Sequence, residues 1–279
     1  MYKQIYGLSC VENHIISQLR EAGIDERCFY CDSIFPSEII YNDIFKENLS
    51  VFDYPKIPRI QSHCKDFGII TLAKTIQKSI QPKYNQTYLV RVDPLFNKEV
   101  LQSRAFRPDH YVLLKKVDDY TFSLQNDIPE KKLLITDEQL QDIYDGDFFI
   151  LTINRQPLAN EIEQMIHCGM MKFYDLFETY TPIEHASIPT LSSSQMRDFL
   201  YFVKQLRQRS TLFFEKIFDT KELKQLNKAY ENLLMVFEYS KLRGTVDDKM
   251  TVECISQTNA LDFEYYKIIK ESTRNECRI

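Results

Sequence analysis

Residues 110–127 read His-Tyr-Val-Leu-Leu-Lys-Lys-Val-Asp-Asp-Tyr-Thr-Phe-Ser-Leu-Gln-Asn-Asp. His110 to Leu114 and Tyr120 to Leu124 are two strand-like runs joined at Lys116-Val117-Asp118-Asp119, which predicts an antiparallel hairpin. If the two runs pair, Asn126 and Asp127 return beside His110. Upstream, Tyr88-Leu89-Val90-Arg91-Val92 is a strand closed by Asp93-Pro94. Downstream, Thr136 and Gln139 have capping-box spacing and open a short helix to Tyr144, and Asp147 to Ile153 reads as a final buried strand. Toward the N-terminus, Val11, Ile15, Leu19 and Ala22 recur at helical spacing before Gly23, so Ser9 to Gly23 is a helix. Strand-like pieces are expected at Cys28-Phe29-Tyr30 and Ile39-Ile40-Tyr41, and a second helix over Phe67 to Ile80, before Pro82. The pattern is that of an α+β domain with a small, mainly antiparallel sheet.

After Pro157 the period becomes helical almost throughout. Phe199, Val203, Leu206, Phe213 and Ile217 mark one stripe, Leu223, Leu226, Tyr230, Leu233 and Phe237 another, and a further helix follows Gly244. Ser192-Ser193-Ser194 offers N-caps to the longest helix. The expected organisation is a first domain over 1–155 and a helical domain over 156–279 packed against it. A homodimer interface is the alternative burial for the stripes.

Composition excludes several function classes. The chain has 279 residues, of which 6 are glycine, all isolated. Dinucleotide, P-loop and serine-hydrolase elbow motifs need clustered glycines for close backbone approach, and none is present in standard form. With 35 basic against 40 acidic residues and a net charge of −5, the chain lacks the basic excess of a nucleic-acid binder. No apolar run approaches the ~18 residues of a membrane span. Polar residues occupy Met1-Tyr2-Lys3-Gln4, where a secretory core would lie, so the expected location is cytoplasmic. Seven cysteines at irregular spacing do not describe a disulfide framework. Cys28 and Cys31 form a CxxC without a partner motif, better read as buried thiols than as a redox or metal pair. The five histidines contain no HExxH, and neither metal nor cofactor is expected.

The informative chemistry starts at Ser9-Cys10-Val11-Glu12. Capping-box spacing of Ser9 and Glu12 puts Cys10 at the first helical position, where free amide N–H groups and the helix dipole favour a thiolate. A thiolate nucleophile needs a base and the base an orienting group. His110, at the start of its strand, is the best placed base, with a strand-end surface histidine as the plain alternative. Asn126 or Asp127 would fix its tautomer. Asn126 shares parity with Phe122 and Leu124, and Asp127 has the opposite parity. Gln4, six residues before Cys10, would join the Cys10 N–H in an oxyanion hole.

The order Gln4, helix-starting Cys10, His110-Tyr111-Val112-Leu113-Leu114 and Asn126-Asp127-Ile128-Pro129 resembles the papain-like cysteine fold, and within it the C39-peptidase-like branch. Gly7-Leu8-Ser9-Cys10 and the added helical region most resemble acyltransferases of the butirosin biosynthesis protein H type. The resemblance covers residues 1 to about 153, with two departures. Ser9 stands where that group often has His and the C39 peptidases Asp, and Asp127-Ile128-Pro129 lacks the adjacent Asp-Pro. The resemblance implies acyl transfer, in specialised-metabolite biosynthesis, from an acyl carrier protein or similar thioester donor to an amine acceptor through a Cys10 thioester. The alternatives are a papain-like cysteine peptidase or thioester hydrolase using the same residues, and a catalytically inactive partner-binding module.

Overall fold

The computed structural model describes residues 7–46, 59–102, 110–178, 180–184 and 192–276. In chain order its elements are helix α1 (Cys10–Glu21), a 3-10 segment (Glu26–Ser33), α2 (Ser37–Lys46), α3 (Ile60–Asp66), β1 (Ile70–Ile76) and β2 (Thr87–Val92). A short α4 (Pro94–Phe96) runs into a π-turn (Asn97–Leu101) and is followed by β3 (Tyr111–Lys116), β4 (Thr121–Asn126) and β5 (Lys131–Thr136). Next come α5 (Asp137–Ile143), β6 (Tyr144–Ile153), α6 (Ala159–Glu178), α7 (Ser193–Phe214), α8 (Lys221–Arg243) and α9 (Asp248–Glu276). None of the described helices is long and apolar enough to cross a membrane.

Two compact units are formed, and neither is one continuous stretch: Met1–Glu26 with Arg59–Leu158, and Arg27–Pro58 with Ala159–Ile279. The first holds a six-stranded antiparallel sheet in the order β1-β6-β2-β3-β4-β5. Its hairpin pairs Leu114 with Leu124 and Lys116 with Phe122, so residues of even number share a face. Val90, Val92, Val112, Leu114, Phe122, Leu124 and Phe148 pack there with Leu140 and Ile143 of α5. α5 begins at a complete capping box of Thr136 and Gln139. α1 lies against β3 and β6 and buries Ile15, Ile16 and Leu19.

The second unit is helical. Tyr41 of α2 meets Phe199 of α7 edge to face, with ring centroids 5.6 Å apart. Phe173, Phe213, Phe214 and Phe237 are fully buried. Arg207 of α7 is also fully buried and pairs with Asp262 of α9 (Nε to Oδ1, 2.9 Å), while donating to the Phe35 carbonyl and Ser37 Oγ, each at 3.0 Å.

Three local readings are corrected. Cys28-Phe29-Tyr30-Cys31 is part of the 3-10 segment rather than a strand. These side chains are buried on all sides, Tyr30 beneath the Arg209 guanidinium at 4.6 Å, so no alternation of burial exists. Ile39-Ile40-Tyr41 lies in α2, where Ile40, Tyr41 and Ile44 form a helical stripe. The expected helix over 67–80 is instead the cap that ends α3 at Phe67, a turn at Gly68 (φ +64°) and strand β1. Gly68 admits the left-handed conformation that ends α3, and the amides of Phe67, Gly68 and Ile69 close back on its carbonyls. Residues 131–136, for which no strand was expected, form β5, which continues the hairpin and pairs Asn126 with Lys131 and Thr121 with Thr136. The last change of unit, after Leu158, falls near the expected boundary at 156. Arg27–Pro58, expected within 1–155, groups with the helices, because Tyr41, Phe35, Ser37 and Tyr30 find their partners on α7.

Candidate active site

Ser9 is extended (φ −155°, ψ 164°), and its Oγ accepts from the Glu12 N–H at 3.2 Å, so α1 starts at Cys10. Only this half of a capping box forms. The Glu12 carboxylate, fully buried, accepts instead from the Leu8 N–H and from the Ile60 N–H at 2.7 Å. It therefore ties the turn before Cys10 to the start of α3. Cys10 is half-buried and sits in the first turn, whose amides carry the positive end of the helix dipole.

His110 immediately precedes β3. Its carbonyl accepts from the Val92 N–H (3.1 Å), and the next residue, Tyr111, donates its hydroxyl to buried Asp147 of β6 at 2.7 Å. Asp147 in turn pairs with Lys74 (3.1 Å) and Arg91 (3.4 Å), so the start of β3 is held from its neighbour β2 and, one strand further, from β6. The His110 ring is 2% exposed. Its Nε2 lies 2.6 Å from Oδ1 of Asn126, which is fully buried at the end of β4.

The second bond of Asn126 decides the tautomer. Asn126 Nδ2 donates to the Pro129 carbonyl at 2.7 Å, which turns Oδ1 toward the imidazole. An amide oxygen only accepts, so His110 Nε2 carries the proton and Nδ1 presents a lone pair. That Nδ1 is buried and makes no hydrogen bond among the described residues. The Asp127 carboxylate is 3.9 Å from the same Nε2, within ion-pair range but beyond a hydrogen bond. The parity of β4 thus sends Asn126 to the ring and Asp127 to the side, as alternation dictates.

Helix α1 reaches these residues directly. Asn13 Nδ2 donates to Asp127 Oδ2 at 2.8 Å, and Asn13 Oδ1 accepts from the Gly7 N–H at 2.9 Å. His14 Nε2 lies 3.2 Å from the Tyr111 carbonyl and must donate to it. Burial pushes the His14 imidazole below its ordinary pKa, against the pull of Asp127 and of its hydrogen bond to Tyr111, with His110 adding a small push in the same direction as burial. Residues 10, 13 and 14 stand at i, i+3 and i+4 and share one side of the helix. Two of them touch the residues adjoining His110 and Asn126.

Of the sequence candidates, His110 and Asn126 are brought into direct contact and Asp127 into ion-pair range. Cys10 is placed on the helix side that carries Asn13 and His14, and Gln4 lies outside the described residues. Glu12 as a tether, Asn13 and His14 were missed. The available signal was three polar residues, Glu12-Asn13-His14, between Val11 and Ile15-Ile16 on a helix whose other turns bury apolar groups. Cys28 and Cys31 are buried and form no disulfide. No family model matches this chain, and no curated protein is similar enough to count as a match.

Proposed function

We propose that this protein is a cysteine-dependent acyltransferase with a papain-like, C39-like first unit. It would take an acyl group from a carrier-protein or similar thioester to an amine acceptor. One observation carries the reading: an imidazole oriented through Nε2–H by a buried Asn, with a bare Nδ1, held beside the helix that starts at a cysteine. Base, orienting group and helix-start thiol are the parts that nucleophilic acyl transfer requires.

In this reading His110 Nδ1 takes the Cys10 Sγ proton and the thiolate attacks the thioester carbonyl. The developing oxyanion is met by the Cys10 N–H and, on the sequence expectation, by the Gln4 amide. The donor C–S bond breaks and the imidazolium returns its proton to the leaving thiolate. An amine then attacks the Cys10 thioester and gives its proton to His110. The thioester C–S bond breaks, the amide leaves, and Cys10 recovers its proton.

The test is incubation with short acyl thioesters of N-acetylcysteamine, followed by peptide mass mapping and then addition of amines. The expected result is an acyl adduct on Cys10, absent in Cys10→Ala and discharged by amine. An adduct on exposed Cys168 alone, or none, overturns the reading. Discharge by water with no amide product moves it to a thioester hydrolase.

A further inference from the structure

Asn126 is a neutral acceptor. It orients the His110 ring but supplies no countercharge for the imidazolium that forms when the Sγ proton reaches Nδ1. The charge nearest to that ring among the described contacts is Asp127, whose Oδ1 lies 3.9 Å from Nε2, is buried, and accepts no hydrogen bond. A buried carboxylate oxygen left in this way is costly unless it faces a positive charge. Oδ2 of the same carboxylate is held by one donor, Asn13 Nδ2, at 2.8 Å. Through its other end, Asn13 Oδ1 holds the Gly7 N–H, three residues before Cys10. One buried amide thus ties the backbone that delivers the thiol to the carboxylate that faces the imidazole. Besides Cys10, His14 is the titratable group on this side of α1, and burial pushes its pKa below the ordinary value.

We infer that Asn13 is a positioning residue for the Cys10–His110 pair and acts through Asp127. This rests on the Cys–His reading above. Asn126 sets the ring's orientation, the Asp127 carboxylate faces the ring where positive charge develops as the thiolate forms, and Asn13 holds that carboxylate in place. A residue serving only to fasten α1 to β4 would affect stability but not the acidity of the thiol.

The deciding experiment is the pH dependence of iodoacetamide alkylation at Cys10, read by mass mapping in the full-length protein so that Cys168 is scored separately. Wild type and His110→Ala establish the dyad. Asn13→Ala is expected to raise the midpoint of Cys10 alkylation by about one pH unit, a tenfold loss of thiolate at the foot of the curve. Asp127→Asn keeps the shape and the acceptor for Asn13 while removing the charge, and is expected to give a similar shift with little loss of thermal stability. The double variant should shift no further than Asp127→Asn alone, as for two residues acting in series. Should Asn13→Ala fail to fold, Asn13→Ser is measured in its place. An unmoved midpoint in the Asn13 variant, or a double variant showing the sum of the single shifts, overturns the proposal. If His110→Ala leaves the wild-type profile unchanged, the dyad falls and this proposal with it. If His110→Ala moves the profile and the Asn13 variant does not, only this proposal falls.

Discussion

Replacing Gly7 by Ala tests the approach to Cys10, the proposed nucleophile, most directly. A Cβ built on residue 7 lies 2.1 Å from Asn13 Oδ1, 2.9 Å from Asn13 Cγ and 2.8 Å from the Asn13 backbone nitrogen. Rotating the Asn13 amide relieves the first two contacts but abandons the hydrogen bonds to Gly7 and Asp127. The third cannot be relieved in that way, since the Asn13 N–H is bonded to the Ser9 carbonyl in the first helical turn (2.9 Å). The chain before Cys10 must therefore move. Leaving the buried Gly7 N–H unpaired costs about 1–3 kcal/mol, and the backbone displacement forced by overpacking about the same. Together they come to ~2–6 kcal/mol, a large share of the ~5–15 kcal/mol that separates folded from unfolded domains. Urea unfolding followed by circular dichroism should show a clearly lower midpoint. Alkylation of Cys10 at pH 7 should slow in the same samples, while Cys168 on α6 keeps its rate. A Gly7→Ala protein with the wild-type midpoint and the wild-type Cys10 rate would refute the claim that this contact holds the start of α1 at Cys10.

Three further outcomes are expected. Asn126→Ala removes the acceptor 2.6 Å from His110 Nε2 and should lower the rate of the proposed acyl transfer by ~100-fold or more, given what a positioned general base contributes; an unchanged kcat on acyl thioesters would count against the proposed orienting role. Because burial lowers the His14 pKa in the folded chain below its ordinary 6.5, the unfolded chain binds the proton more readily and stability is lost as pH falls through 6.5; His14→Gln, measured by urea unfolding between pH 5 and 8, should flatten this acid limb. Asp262→Ala leaves the fully buried Arg207 guanidinium uncompensated and should cost about 3–5 kcal/mol, which corresponds to a Tm lower by roughly 10 °C in scanning calorimetry. An Arg207→Met, Asp262→Leu pair should recover most of that loss, and a single variant with unmoved Tm would show that the pair is not held as described.

What the sequence determined by itself was local. Ser9 starts α1 at Cys10 because a hydroxyl within one turn of a free amide caps it whatever lies beyond. The capping box of Thr136 and Gln139 sets α5 in the same way, and the alternation of Phe122, Leu124 and Asn126 turns Asn126 rather than Asp127 toward His110. Short apolar runs were not decidable in this manner. Cys28 to Cys31 and Ile39 to Tyr41 fit a buried strand or a buried helical turn equally well, and only packing against α7 separated the two. Ile70, Leu72 and Ile76 share even parity, so the strand was legible there, but Phe67 and Ile80 completed a helical pattern that the Gly68 turn interrupts. The site divides along the same line. The thiol, the imidazole and the amide were readable from their residue types and order along the chain. In the tether from Gly7 through Asn13 to Asp127, the bond between Asn13 and Asp127 joins residues 114 positions apart. A hydrogen bond of that span has no signature in spacing or period, because it exists only once the helix and the hairpin have packed together.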